Sequence, residues 1–511
     1  MATQLFFDSL SSTHRLFDSG FEQSVELEIL LADYDPPVFK IVKTCIEHTL
    51  TQKYISGSKL TLEGFFKLSV YYQPPQSTRL ALISKKIPFQ KQFELPQTVE
   101  TPYFISVSGE TQYINTRAIN PTRIDVRGAY QFIVKAYATQ EKSIVTAINS
   151  KTICTDDTQV DFFCLSAQGV RQFSVEDELT MPQDTEQILQ VIAKNNNMSL
   201  TAYEGKVNVK GEITADIWHT VQSTDEVKKY SKAFLYNQVV DIQGVSENNI
   251  AYGDFSLISF TITQNPDTKK VNCVVTAQLD VRAFKKQEII ALTDAFSKEY
   301  TCSVDKETVI VDENLISLAK NFSFTMEDTL GKGYSIAYAF VETGAVRGYP
   351  QLDKTVPKLK LTISAIAKNS QGEYECFTKT EDCPFELSEP LSPLDELILS
   401  PQLNDYSTLL SDEKLTVKLS ITLSGFIIKR KEIDVLNSFD ELLEKPLEKS
   451  RQALILYYAH KNEKIFDIAR RYKLLHNKFC RRTRLPASLC RRIKCCSFRH
   501  LICEEGYDEH L

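Results

Sequence analysis

Ile124 to Val134 reads IDVRGAYQFIV, with Ile124, Val126, Tyr130, Phe132 and Val134 on alternate positions. A side-chain period of two is the mark of a strand with one buried face. Val271 opens a second such run (VNCVVTAQLDV) 147 residues later, and Leu415 a third (LTVKLSITLSGFII) after 144 more. Repeats on this scale decide the architecture before any single motif does.

Other landmarks follow the same spacing. Lys59 to Gly64 (KLTLEG) returns as Lys206 to Gly211 (KVNVKG) 147 residues on. Each alternates and ends on Gly, as a half-buried strand leaving into a bend would. Asp35 opens DPPVFKIV and Asp184 opens DTEQILQV, an acidic residue ahead of a short apolar-periodic segment. That pattern predicts a short capped helix. In the third copy, Cys383-Pro384-Phe385 matches Ile87-Pro88-Phe89. A Pro among strands marks an edge or a strand entry, and the aromatic after it is expected to plug the core.

The expectation is a mainly β protein: three tandem sandwich- or barrel-like repeats at 22–145, 172–300 and 320–435, each with a short helix. Residues 146–171 and 301–319 read as connectors, and the charged stretch 436–452 as an exposed linker. The whole has 511 residues, enough for about three or four domains.

Composition narrows the function classes. The 59 basic and 66 acidic residues leave a net charge of −7, with no basic surface for nucleic acid. The N-terminus lacks a basic region followed by an apolar core, so no signal peptide is expected. The longest clean apolar run, Ala453 to Ala459, is far too short to cross a bilayer. A cytoplasmic location follows as an expectation. Seven cysteines are scattered before residue 473 and read as reduced, mostly buried thiols.

No constellation for catalysis, metal or cofactor is legible. The seven His show no H-E-x-x-H spacing, and Gly331-Lys332-Gly333 lacks the rest of a phosphate loop. Trp218-His219 reads as a core aromatic with a partly exposed neighbour. Arg117, Arg123 and Arg127 read as an anion-contact row or as a structural ion-pair network. Asn120-Pro121 sets a turn into the following strand.

Beyond the linker, Leu454 to Ala459 predicts a strand. Ile465, Ile468, Ala469 and Tyr472 then fall on one helix face. Strand, turn and helix resemble the start of a LysM domain at 453–473, with Asn462, Glu463 and Lys464 replacing the usual Gly-Asp-Ser/Thr turn. The LysM-like contact residues are Asn462, Glu463, Lys464, Ile465, Phe466 and Ile468. No second helix or closing strand is legible. Residues 474–511 are basic and hold five cysteines. Three readings of this tail stay open: a zinc site, a basic RNA- or membrane-surface arm, and a coding frame shifted near Lys473.

Three such repeats before a LysM-like unit resemble the SPOCS-domain proteins of spore-forming Firmicutes. The carrying residues are Pro88 and Phe89, and Arg117-Ala118-Ile119-Asn120-Pro121-Thr122-Arg123-Ile124-Asp125-Val126-Arg127, similar to the family's R-x-φ-N-P-[RT]-[KR]-I-x-V-R signature. The resemblance implies a non-enzymatic spore-coat scaffold in the mother cell, at the forespore surface. Its implied partner is the coat-morphogenetic ATPase or another coat protein. The alternative is a LysM-type binder of peptidoglycan or N-acetylglucosamine polymers.

Overall fold

The computed structural model describes residues 4–77, 79–179, 185–221, 227–264, 271–352, 354–411, 413–448, 454–457, 463–473 and 501–504. Eighteen strands fall into three modules of six. The first contains β1 (Gln4–Leu30), β2 (Lys40–Ser56), β3 (Lys59–Gln73), β4 (Ala81–Glu94), β5 (Tyr103–Asn120) and β6 (Arg123–Asn149). The second contains β7 (Ile153–Leu179), β8 (Thr185–Tyr203), β9 (Lys206–Val221), β10 (Val227–Asp241), β11 (Ile250–Gln264) and β12 (Val271–Ser297). The third contains β13 (Tyr300–Thr329), β14 (Ser335–Gln351), β15 (Lys354–Lys368), β16 (Tyr374–Pro384), β17 (Glu396–Ser411) and β18 (Lys414–Pro446).

Every module has one topology. Strands two, three and four form an antiparallel meander, while the sixth strand lies between the first and fifth in a second antiparallel sheet. The two sheets face each other over a core that takes alternate residues from the central strands. Leu60, Leu62, Phe66, Leu68 and Val70 of β3 meet Ile124, Val126, Phe132 and Val134 of β6. Such alternation is what a half-buried antiparallel strand dictates.

The sequence-derived spacing continues into the packing between modules. Tyr137, Phe284 and Ile428 are separated by 147 and 144 residues and share one apolar cluster. Ile144, Ala291 and Val435 share the next, and Val145, Leu292 and Leu436 the one after. The modules therefore surround a pseudo-threefold axis, each giving the same register position to each layer. A β-bulge recurs at the equivalent point of each first–sixth strand pair, opposite Phe6/Phe7, at Leu292/Asp294 and at Asp305/Lys306.

Contacts between modules run in a closed cycle: β5 against β14, β11 against β2, and β17 against β8. An ion pair of 3.0 Å sits at each junction: Lys360–Glu110, Lys53–Asp280 and Lys229–Asp405. One junction carries more. Asp312 accepts from the Thr13 backbone N–H (2.7 Å) and from Arg430 Nε (3.2 Å), and Arg430 Nη1 also donates to Glu396 (3.2 Å). Tyr137 Oη donates to the other Glu396 oxygen at 3.1 Å. This buried network breaks the threefold repetition and ties the third module to the first.

Several expectations need correction. No module contains a helix among the described residues. Residues 40–56 form β2, residues 185–203 form β8, and Asp184 lies outside the described residues. Most of 146–171 and of 301–319 is not connector but belongs to the long strand pairs whose ends build the axial layers. The stretch expected as a linker from 436 is still β18 through Pro446. Gly64 and Gly211 do not end their strands. They sit inside β3 and β9, where a Cβ would lie 2.1 Å from the Thr49 carbonyl oxygen and 2.5 Å from Tyr236 Oη. In Trp218-His219 it is His219 that is buried.

After the modules come β19 (Leu454–Tyr457), α1 (Ile465–Tyr472) and β20 (Leu501–Glu504). A closing strand does exist, since β20 pairs antiparallel with β19. Among the described residues no helix is long and apolar enough to cross a membrane. Five of the seven cysteines before residue 473 are buried.

Candidate functional site

The residues singled out in the sequence lie in three separate places. Pro88 and Phe89 are structural. β4 is an edge strand, which tolerates a proline lacking a ladder donor. Phe89 is buried and stacks on Phe66 with ring centroids 4.6 Å apart. Pro384 likewise ends the edge strand β16, and Phe385 is buried in the third core.

The Arg-Asn-Pro segment forms the β5–β6 turn at one end of module 1. Asn120 Oδ1 accepts from the Thr122 N–H (2.9 Å) and hydroxyl (3.1 Å), a side-chain-closed turn. The carbonyls of Pro121 and Thr122 accept from Val38 (2.7 Å) and Leu31 (2.9 Å), stapling the β1–β2 connection onto this turn. Module 3 makes the like bond, Leu330 N–H to the Glu413 carbonyl, without any Asn-Pro. Arg123 pairs with Glu28 at 2.5 Å and Arg127 with Asp125 at 3.3 Å. Arg117 lies opposite Asp125 in the ladder. Two of the three arginines thus belong to surface ion pairs, each worth little to stability.

What the sequence did not announce is the apolar company they keep. Leu30, Tyr34, Phe39 and Ile119 are respectively 67%, 89%, 59% and 55% exposed on the two stapled segments. Large exposed apolar side chains on two bonded segments that also carry arginines are the kind used for protein contacts.

The LysM-like helix is not exposed on its apolar face. Phe466 and Ile468 are buried, Ile465 is half-buried, and the Phe466 ring meets Phe296 edge-on at 5.2 Å. Arg470 pairs with Asp294 at 2.7 Å, Lys464 with Asp156 at 3.4 Å and Glu463 with Arg471 at 3.5 Å. Asn462 lies outside the described residues, as do residues 474–500 and 505–511 of the tail.

A fourth place was illegible from sequence. Contiguous cavities of about 870, 520 and 560 Å³ meet at His48, where the three modules converge. Their walls mix apolar residues with polar ones, Glu47, Gln190, Glu342 and Lys360 among them. Gln190 of module 2 donates to Glu47 of module 1 (3.3 Å) and accepts from Tyr338 of module 3 (2.5 Å). His48 Nδ1 lies 2.7 Å from Tyr130 Oη, and burial pushes the imidazole down to about 4, so it is neutral near pH 7. Burial pushes the Glu342 carboxyl up, partly offset by Lys43. The wall residues come from all three modules, from Arg15 to Phe426, so no local motif could reveal them. No group of three or more His, Cys, Asp or Glu among the described residues is placed to hold a metal ion.

No family model, curated protein or solved structure matches the chain.

Proposed function

We propose that the chain is a non-enzymatic scaffold of the spore envelope, working through protein contacts at the forespore surface in the mother cell. The observation that carries this is the end of module 1. Exposed Ile119 stands with Arg117 and Arg123 at the turn held by Asn120 and Pro121, and exposed Leu30, Tyr34 and Phe39 lie on the segment that backbone bonds staple to it. Aromatic and arginine side chains dominate binding hot spots. The same turn carries the segment that resembles the SPOCS signature, and the three-module ring supplies a stiff support for it. The proposed partner is the coat-morphogenetic ATPase or a neighbouring coat protein.

The test is capture of the purified ATPase by the full-length chain and by a Tyr34→Ala/Phe39→Ala/Ile119→Ala variant. Loss of two hot-spot residues at about 2 kcal/mol each should weaken capture by about a thousandfold. Equal capture by both chains would count against the reading.

One observation favours a second reading, that of a peptidoglycan or N-acetylglucosamine binder. The strands β19 and β20 pair antiparallel around α1, as the outer strands of a LysM unit do, with no second helix among the described residues. Sedimentation of the full-length chain with purified peptidoglycan separates the two. Co-sedimentation lost on Lys464→Glu would favour the glycan.

A further inference from the structure

The seat of α1 on module 2 is a built site. Its floor is Cys154 and Phe296, both buried and paired across the first and last strands of that module. Its rim carries two carboxylates, Asp156 and Asp294, the second also paired with Lys306 at 2.8 Å. Phe466 and Ala469 join the floor as one apolar cluster, and the Lys473 ammonium reaches over the Phe296 ring at 6.0 Å. The seat is particular to module 2. The positions equivalent to Phe296 by the repeat spacing are Asn149 and Asp440, neither of which could floor an apolar groove.

The helix itself is eight residues long and has no capping side chain at Lys464. A helix of that length does not hold itself in water, so tertiary contact must supply its order. Its polar surface is basic, with Lys464, Arg470, Arg471 and Lys473 against Glu463 and Asp467. Apolar floor meets apolar face and acidic rim meets basic flank.

We propose that Cys154, Phe296, Asp156 and Asp294 form a recognition groove for a short basic amphipathic helix. In the resting chain α1 fills this groove, and the apolar face that α1 offers any partner is thereby masked. The proposal deepens the scaffold reading only in its second half, since the groove and its occupant stand without it. A partner that lifts α1 must present the same chemistry as the groove: an apolar cleft rimmed by carboxylates.

The test uses full-length chains and a fluorescent peptide of residues 463–473. Phe466→Ala weakens the internal occupant and leaves the groove intact. This variant should bind the peptide saturably, at least about tenfold more tightly than the wild type, whose tethered helix competes at high effective concentration. Binding should weaken in 1 M salt, at about 3 Å of screening length. Lys464→Glu/Arg470→Glu, which reverses the two charges paired with the rim and leaves Phe466, Ile468 and Ala469 unchanged, should open the groove likewise. The buried Cys154 thiol gives a second readout by iodoacetamide labelling and peptide mapping. Labelling should be at least about tenfold faster in either variant and slow again when the peptide is added. Equal peptide binding to wild type and variants, no binding to either variant up to millimolar peptide, or unchanged Cys154 labelling would each overturn the groove. ATPase capture that does not rise in the opened Lys464→Glu/Arg470→Glu chain, while its Cys154 labelling does, would overturn the masking alone. The module 1 variant tests the scaffold reading separately.

Discussion

Replacing Phe426 by Ala removes the aromatic ring that most directly joins the modules. Phe426 belongs to module 3 and is fully buried, yet three of its ring neighbours come from the others: Phe104 at 5.9 Å, Tyr252 at 4.7 Å and Phe284 at 5.2 Å. Transfer of the side chain accounts for about 1.5–3 kcal/mol. The unfilled space and lost edge-to-face contacts bring the expected loss to about 3–5 kcal/mol. The Arg282 guanidinium, 5.9 Å from the ring centroid, loses one of its two aromatic faces as well. The informative feature is where the damage appears. Hydrogen exchange with mass spectrometry should show faster exchange in strands of all three modules around the axis. Phe132→Ala, buried in the first core alone, should cost a similar amount but speed exchange only within residues 4–149. If Phe426→Ala costs under about 1 kcal/mol, or its effect stays inside module 3, the axial packing is refuted.

Acid should weaken the fold through His48. Its folded value is about 4 against 6.5 unfolded, so both states are neutral above pH 6.5 and the contribution is then complete. Between pH 6.5 and 4 only the unfolded chain takes up the proton, and up to about 3 kcal/mol is lost. Denaturant titrations over that range should show a shallower decline for His48→Gln, and parallel slopes would contradict the assignment. Arg430→Met leaves Asp312 and Glu396 without their shared guanidinium and should cost about 3–5 kcal/mol in urea unfolding; a loss below 1 kcal/mol would mean that water reaches the site. Gly425 has a φ of +138°, and a Cβ there would lie 2.1 Å from the Ile398 carbonyl oxygen. Gly425→Ala should therefore cost more than about 2 kcal/mol in the same assay, and a neutral result would show that β17 can move aside.

How far the fold could be read from the sequence follows from which faces are buried. The alternation beginning at Ile124, Val271 and Leu415 is strict because those sixth strands are central in their sheets. Their spacing therefore survives into the register of Tyr137, Phe284 and Ile428. The first strands were missed because they are edge strands carrying many exposed residues, with only scattered buried positions such as Leu10, Val160 and Val309. Asp35 and the apolar-periodic segment it opens suggested a capped helix, but that run pairs with β3 from Lys40 onward. Ladder pairing and core burial outweighed a local capping signal there. Arg117, Asn120, Pro121, Arg123 and Arg127 were legible as a motif. Their exposed neighbours Tyr34 and Phe39 were not, because only the bonds from Val38 and Leu31 bring those loops together. The seat of α1 was illegible for the same reason: Cys154 and Phe296 lie in another module, far from Phe466 in sequence.

Closure of the ring is the central claim, and zero-length carbodiimide coupling tests it most directly. The reagent joins an amine to a carboxylate only where the two already touch. Three lysine–carboxylate pairs, each 3.0 Å apart, span the three junctions. The monomer fraction should yield all three cross-linked peptides: Glu110–Lys360, Asp280–Lys53 and Asp405–Lys229. Three modules in an open string share only two junctions, so Asp280–Lys53 and Asp405–Lys229 without Glu110–Lys360 would contradict the closed ring.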